Sequence, residues 1–190
     1  MPRCTLSFQP GYYYHLYNRG SNRQNIFFER ENYLYFLRLL RRYLVEQIIE
    51  ILAYCLMPNH YHLLVYCKTE RVTEGMRSLS LAYTKAINCR YNRVGTIFQR
   101  QYQATWVDRE VYLHHLVQYI HFNPVKAEMV RTPEEWEFSS YRDYAGLRNG
   151  TLPQTQMIRE LFGSELAYQS FLTQQQLSSM AVVRSLMLDE

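Results

Sequence analysis

The sequence predicts an α+β fold of the ferredoxin-like, split βαβ kind: one antiparallel sheet with helices on one face, then an extra helix and a helical C-terminal extension. Three observations predict it. Strand-like and helix-like periodicities alternate in the order β-α-β-β-α-β, two β-rich runs meet at a Pro58-Asn59 turn pair, and a further helical stretch follows the last strand.

Each element has its own warrant. The stretch YYYHLYNRG, Tyr12 to Gly20, is aromatic-rich and ends in glycine, as a strand and turn do. In ERENYLYFLRLLRRYLVEQ, Leu34, Leu37 and Leu40 fall at helical spacing with Arg38 and Arg41 among them, an apolar face beside a basic one. IIEILAYCLM and YHLLVYC form a hairpin through Pro58-Asn59. A second helix starts at Thr73 and ends before Gly95. TIFQRQYQATWV then alternates as a strand does, and DREVYLHHLVQYIHFN opens on Asp108 as N-cap and is expected to stop at Pro124. Beyond Pro133 the chain is aromatic and turn-rich, with short helices expected around Met157–Phe162 and Glu165–Gln176. The expected division is a main domain over 1–132 and an extension over 133–190, packed on or beside it.

Composition narrows the class. With 47% hydrophobic and 15% aromatic residues, the 190-residue chain is far from a disordered one and long enough to bury a core. The net charge of +4 is unevenly spread: residues 133–190 carry four basic against eight acidic side chains, so residues 1–132 carry the whole excess. A basic main domain suits a polyanionic partner, although a solvated basic face without one is as common. Cys4, Cys55, Cys67 and Cys89 form no CxxC pair, which points to a reducing cytoplasm. The longest apolar run, IIEILAYCLM, is broken by Glu50 and too short to cross a bilayer, so no membrane association is expected.

The stretch MPNHYHLLVYC carries the first chemistry. Alternation along a strand puts His60, His62, Leu64 and Tyr66 on one face and Tyr61, Leu63, Val65 and Cys67 on the other. Two imidazoles about 7 Å apart can lean onto one metal ion, yet they supply only part of a site and fit equally two polar residues on a half-exposed strand. A zinc site spelled C-x4-H-x-H-x4-C fails on parity, because Cys67 faces away from the histidines unless a bulge intervenes.

A helical wheel over DREVYLHHLVQYIHFNP supplies the second. Leu113, Leu116, Val117 and Ile120 form a narrow buried stripe, flanked on one side by Tyr112, His115, Tyr119 and Asn123 and on the other by His114, Gln118 and His121. Tyr119 and Asn123 are i and i+4, neighbours on one ridge. An amide oxygen can ligate a hard divalent cation and a phenol can be a nucleophile; equally, Tyr119 can pack and Asn123 can end a helix.

MPNHYHLLV, together with VQYIHFNPVKAEMV and the later WEFSSYRDY, resembles the HUH single-tyrosine transposases, in particular the REP-associated tyrosine transposases, over roughly Tyr12 to Gly146. The resemblance implies that residues 1–132 are a catalytic domain, that the extra helix is catalytic, that His60 and His62 bind the metal and that Tyr119 is the nucleophile. Asn123 falls where related enzymes place a third ligand, commonly Gln, one methylene longer. Tyr61 stands at the middle position of the HUH triplet, hydrophobic in the family. The implied activity is cleavage and rejoining of single-stranded or hairpin DNA, of the repeated extragenic palindrome kind, through a 5′-phosphotyrosine, with Mg²⁺ or Mn²⁺, in a bacterial cytoplasm.

His115, one turn before Tyr119, is a candidate helper. Arg19, Arg23, Arg38, Arg41, Arg42, Arg90, Arg93 and Arg100 are candidate DNA contacts, and Trp136 and Tyr141 either stack on unpaired bases or pin the extension to the domain. A monomer acting in cis is expected, because the extension can hold the tyrosine helix in place, although some relatives exchange that helix between subunits. Two rival readings are a non-catalytic nucleic-acid binder with an open, RNA-recognition-like sheet and a structural zinc protein.

Overall fold

Strand alternation sorts the side chains of the central sheet into two cores, one on each face. The computed structural model describes residues 7–107, 110–162 and 164–173. Its elements run β1 (Tyr13–Arg19), α1 (Arg30–Leu40), β2 (Ile49–Met57), β3 (His60–Cys67), α2 (Val72–Arg90), β4 (Gln103–Val107) and α3 (Glu110–Lys126). The four strands pair antiparallel in the order β2-β3-β1-β4, which is the ferredoxin-like order.

On the first face, Leu16, Tyr61, Leu63 and Val65 pack with Phe36, Leu40, Met76, Leu79 and Tyr83 from α1 and α2. Helix α1 starts where Asn32 Oδ1 accepts the backbone N–H groups of Phe28 and Glu29, and it continues into one π-helical turn, Arg41–Val45. The expected strand from Thr96 is shorter than its alternation suggested, since only Gln103–Val107 pair with β1.

The second face is not left open. Leu113, Leu116, Val117, Tyr119 and Ile120 of α3 pack with Leu52, Ala53, Cys55, Met57 and Leu64 of β2 and β3. A bulge makes this possible: the β2–β3 register shifts between Ile51 and Ala53, so Leu52 and Ala53 both join this core while Ile49 and Ile51 stay in the other. The extra helix thus covers the β2–β3 half of the face opposite α1 and α2, because α3 is apolar enough to need that surface.

Helix α3 also runs further than expected. Pro124 lies inside it, and the helix ends at Lys126. Proline removes one i→i−4 bond but does not prevent the next turn. The stop is a left-handed Glu128, φ 55°, with Glu128 N–H donating to Val125 O at 2.9 Å and Met129 N–H to Pro124 O at 3.0 Å, the pair of bonds that defines a Schellman ending. The proposed Asp108 cap lies outside the described residues, as do Cys4 and Gln176.

The extension covers α3 and the free edge of β2. Leu56 N–H donates to Phe138 O and Ser140 N–H to Tyr54 O, each at 2.9 Å, and Gln154 N–H donates to Ile51 O at 2.7 Å. These bonds occupy backbone groups an edge strand would otherwise expose. Arg148 holds Ser139 O, Tyr54 Oη and the Asp143 carboxylate together. α4 (Tyr141–Tyr144), α5 (Thr155–Arg159) and α6 (Glu165–Thr173) then contribute Tyr141, Tyr144, Ile158, Tyr168, Phe171 and Leu172 to the second core. Among the described residues no helix is long and apolar enough to cross a membrane.

Candidate active site

The hairpin turn at Pro58-Asn59 brings β3 back with His60 at its first position, and alternation then aims His60 and His62 at α3. Their rings stand edge to face with centroids 5.1 Å apart. Across the gap, His62 and Tyr119 are also edge to face, at 5.4 Å and 82°. Asn123, one turn on from Tyr119, places Oδ1 3.3 Å from His60 Nε2. The four residues singled out by the sequence therefore meet on one side of the sheet.

The hydrogen bonds decide which atoms face the centre. His60 Nδ1 lies 2.6 Å from Asn59 Oδ1, an acceptor, so Nδ1 carries the proton and Nε2 offers a lone pair towards Asn123. The Asn123 amide turns its oxygen, not its nitrogen, to that lone pair, and its buried Nδ2 has no partner. In this orientation the pair can share one cation, and a half-turn of the amide lets Nδ2 donate to His60 Nε2 instead. His62 Nε2 is likewise buried without a partner. Among the described residues no group of three His, Cys, Asp or Glu is arranged to hold a metal ion, and the residues here that could hold one are His60, His62 and the amide of Asn123.

The surroundings favour neutral imidazoles. Burial, then the nearby His60, His15 and Lys126, hold His62 well below the ordinary histidine range. Burial alone holds His15 at about 3. His15 Nε2 is 3.0 Å from His62 Nδ1, and Tyr17 stacks on His15 with centroids 4.9 Å apart. Lys126 Nζ stands 5.4 Å from the Tyr119 ring centre.

Beside the histidines opens a cavity of about 450 Å³ lined by Tyr17, Asn18, Arg19, Arg23, Gln99 and Arg100 among others. Gly20 shapes its rim: a Cβ there would run into the Gln24 carbonyl, and Asn22 and Arg23 beyond it are left-handed, φ 52° and 57°. Of the candidate DNA contacts, Arg19, Arg23 and Arg100 thus lie at the site. The structure separates the others from it. Arg38 and Arg42 lie over Tyr35 and Tyr43 on the helical layer, Arg41 donates to Thr151, Arg90 pairs with Glu29, and Arg93 lies over Phe28.

His115 is half-buried one turn before Tyr119, while His62 packs edge to face against the Tyr119 ring and Lys126 lies over it. Trp136 and Tyr141 pin the extension: Trp136 Nε1–H donates to Leu56 O at 3.0 Å and Tyr141 O–H to Leu172 O at 3.1 Å. Sequence reasoning missed His15 and Lys126. Lys126 was within its reach, since i+7 from Tyr119 returns to the same helix ridge. His15 was not, because strand neighbours depend on register.

Fold and site together define a ferredoxin-like domain with a His-His-Tyr-Asn cluster beside an arginine-lined cavity. Residues 9–123 match the family described as "Transposase IS200 like", and the chain belongs to the IS200-like transposases. Among solved structures it is similar to a REP-associated tyrosine transposase bound to a REP hairpin, with 16% identity, a TM-score of 0.64, and coverage of 81% of this chain and 98% of that one. No curated protein matches.

Proposed function

We propose that this transposase cleaves and rejoins single-stranded hairpin DNA through a phosphotyrosine on Tyr119, with a divalent cation held by His60, His62 and Asn123. The observation that carries the proposal is the gathering of His60, His62 and Asn123 beside the Tyr119 ring: the two imidazoles lie 5.1 Å apart, Asn123 Oδ1 is 3.3 Å from His60 Nε2, and His62 Nε2 is buried without a partner. The His60–Asn123 separation of 3.3 Å suits two neighbouring ligands of an octahedral ion, which lie about 3 Å apart when bonds are about 2.1 Å. Such a hard ion is Mg²⁺ or Mn²⁺, and the imidazoles favour Mn²⁺.

The bound cation would offset charge on the nonbridging oxygens of the scissile phosphate. Tyr119 Oη attacks phosphorus in line, the bond from phosphorus to the 3′-oxygen breaks, and the phenolic proton ends on that oxygen. The products are a 5′-phosphotyrosine and a free 3′-hydroxyl. Because the phosphotyrosine is as reactive as the bond it replaced, another 3′-hydroxyl reverses the step and joins strands without ATP. A phenol ionises near pH ~10, and Lys126, on the same ridge, supplies positive charge where phenolate forms. His115 is the alternative helper. Arg19, Arg23 and Arg100 would hold backbone phosphates flanking the cut; Arg38, Arg41, Arg42, Arg90 and Arg93 would serve only a hairpin stem that wraps onto the helical layer.

The REP hairpin of the similar structure supports hairpin DNA as the substrate class. Tyr119 stands over the histidines of its own chain, which supports a monomer acting in cis. The RNA-recognition-like reading is disfavoured, since α3 covers the histidine half of the sheet face that would bind RNA. Structural zinc is disfavoured too, because Cys67 packs in the opposite core. Incubation with end-labelled hairpin DNA and Mn²⁺, followed by denaturing electrophoresis, should show a covalent adduct that EDTA abolishes; absence of any adduct or strand-transfer product across hairpin sequences would overturn the proposal.

A further inference from the structure

β1 and β3 pair so that His15 and His62 share one face, one strand apart and diagonal in register: His15 lies opposite Leu64 and Tyr17 opposite His62. Diagonal neighbours reach each other when the side chains are long. The two rings lie nearly parallel, planes 20° apart and centroids 5.1 Å apart, and their nitrogens meet edgewise at 3.0 Å. Both side chains are only 2% exposed.

We infer that His15 is a positioning residue of the candidate metal centre: its Nε2 accepts the Nδ1–H of His62 and thereby fixes His62 in the tautomer whose Nε2 lone pair points into the site. The inference rests on the metal-centre reading above, to which it adds the residue that sets ligand orientation. A hydrogen bond between two neutral imidazoles needs one donor and one acceptor, so only two arrangements exist. In the first, His15 donates, and His62 is left with a buried Nε2–H that has no acceptor. In the second, His62 donates, and its Nε2 presents a lone pair.

The structure discriminates between them. His62 Nε2 is buried without any protein partner. A buried N–H left unpaired is rarer and costlier than an acceptor left underused. A lone pair on His62 Nε2 is the form in which this imidazole can serve as a metal ligand. His60 obeys the same logic with a different partner, since Asn59 Oδ1 takes its Nδ1–H. Each ligand imidazole is thus held from behind through Nδ1, one by an amide and one by a second imidazole, as outer-shell partners orient ligand histidines elsewhere. Tyr17, stacked on His15 at 27°, keeps that ring in the plane the bond requires.

The test uses His15→Phe, which keeps a planar ring in the same space but removes the acceptor, and His15→Gln, whose side-chain oxygen can accept where Nε2 did. Nitrogen–proton correlation spectra of the metal-free proteins, with labelled histidine, report the His62 tautomer directly, and Mn²⁺ titration reports affinity. The wild type should show His62 protonated on Nδ1. His15→Phe should lose that preference and bind Mn²⁺ about 10- to 100-fold more weakly, while His15→Gln recovers most of both. A wild-type His62 protonated on Nε2, or unchanged Mn²⁺ affinity in His15→Phe, overturns the role of His15. A wild type with the expected tautomer but no Mn²⁺ binding instead overturns the metal-centre reading, so the two failures are distinct. Should His15→Phe fail to fold, His15→Gln against His15→Ala gives the same comparison.

Discussion

Tyr119 and His62 meet edge to face across the boundary between α3 and β3, their ring centroids 5.4 Å apart and their planes at 82°. The contact leaves the tyrosine ring 7% exposed, buried mainly by packing. Two roles are therefore superimposed on one side chain, and removal of a single atom separates them. Tyr119→Phe should fold with a melting temperature within a few degrees of wild type, bind Mn²⁺ and hairpin DNA normally, and form no covalent adduct. Tyr112→Phe, two turns away on α3, is the matched control. An adduct from Tyr119→Phe would assign the nucleophile elsewhere.

Asn123 predicts opposite outcomes for two near-isosteric changes. Asn123→Asp places a formal charge where the amide oxygen now faces His60, and should tighten Mn²⁺ binding roughly tenfold or more. Asn123→Leu should weaken it. Calorimetric titration of both proteins with Mn²⁺ measures the difference, and equal affinities would remove Asn123 from the ligand set.

The arginines divide by place. Arg19, Arg23 and Arg100 border the cavity beside the histidines, whereas Arg38 and Arg42 lie over tyrosines on the helical layer. Replacing each of the first three by Gln should flatten the plot of log affinity against log salt by about 0.7–0.9 for each phosphate no longer neutralised. Arg38→Gln and Arg42→Gln should change it less. The reverse order in binding measured over a salt series would put the DNA on the other side of the sheet.

Most of the fold was legible because its signals are local. The Pro58-Asn59 turn, the 3.6-residue period of Leu113, Leu116, Val117 and Ile120, and the parity of His60 and His62 each follow from a few neighbouring residues. What was not legible depends on register or on backbone conformation. The bulge at Leu52 shows only once β2 is laid against β3. His15 reaches His62 only once β1 is paired with β3. The helix stop was misplaced at Pro124 because proline is a strong sequence signal, while a left-handed Glu128 is a weak one.

Acid should destabilise the fold in a window set by its buried histidines. His15 and His121 are both held at about 3 by burial, against 6.5 for the free side chain. Between these values the unfolded chain binds protons that the folded one refuses. Stability is therefore complete above pH 6.5 and falls as pH drops towards 3, by up to about 1.4 kcal/mol per pH unit for each group. His121 lies away from the candidate centre, with Nε2 2.8 Å from Ser140 Oγ. His121→Gln should lower stability at pH 7 and flatten the slope between pH 6 and 4 in denaturant titrations; an unchanged slope would mean that His121 does not contribute.

The end of α3 provides the last test, because it carries both Asn123 and Lys126. Its Schellman ending needs a left-handed residue, and Glu128 supplies one at φ 55°. A side chain with a Cβ is disfavoured there by about 1–2 kcal/mol, and its carboxylate sits at the negative end of the helix dipole. Glycine removes both costs, set against the greater freedom it gives the unfolded chain. Glu128→Gly should therefore raise stability by about 0.5–1.5 kcal/mol, seen as a higher denaturant midpoint. Cleavage and Mn²⁺ affinity should stay at wild-type levels, since the backbone bonds that place Asn123 and Lys126 are unchanged. Glu128→Val, β-branched and unable to adopt that conformation without strain, should instead unravel the last turn, weaken Mn²⁺ binding through Asn123 and slow adduct formation. If the valine variant matched the glycine variant in stability, the left-handed stop would not be what ends the helix.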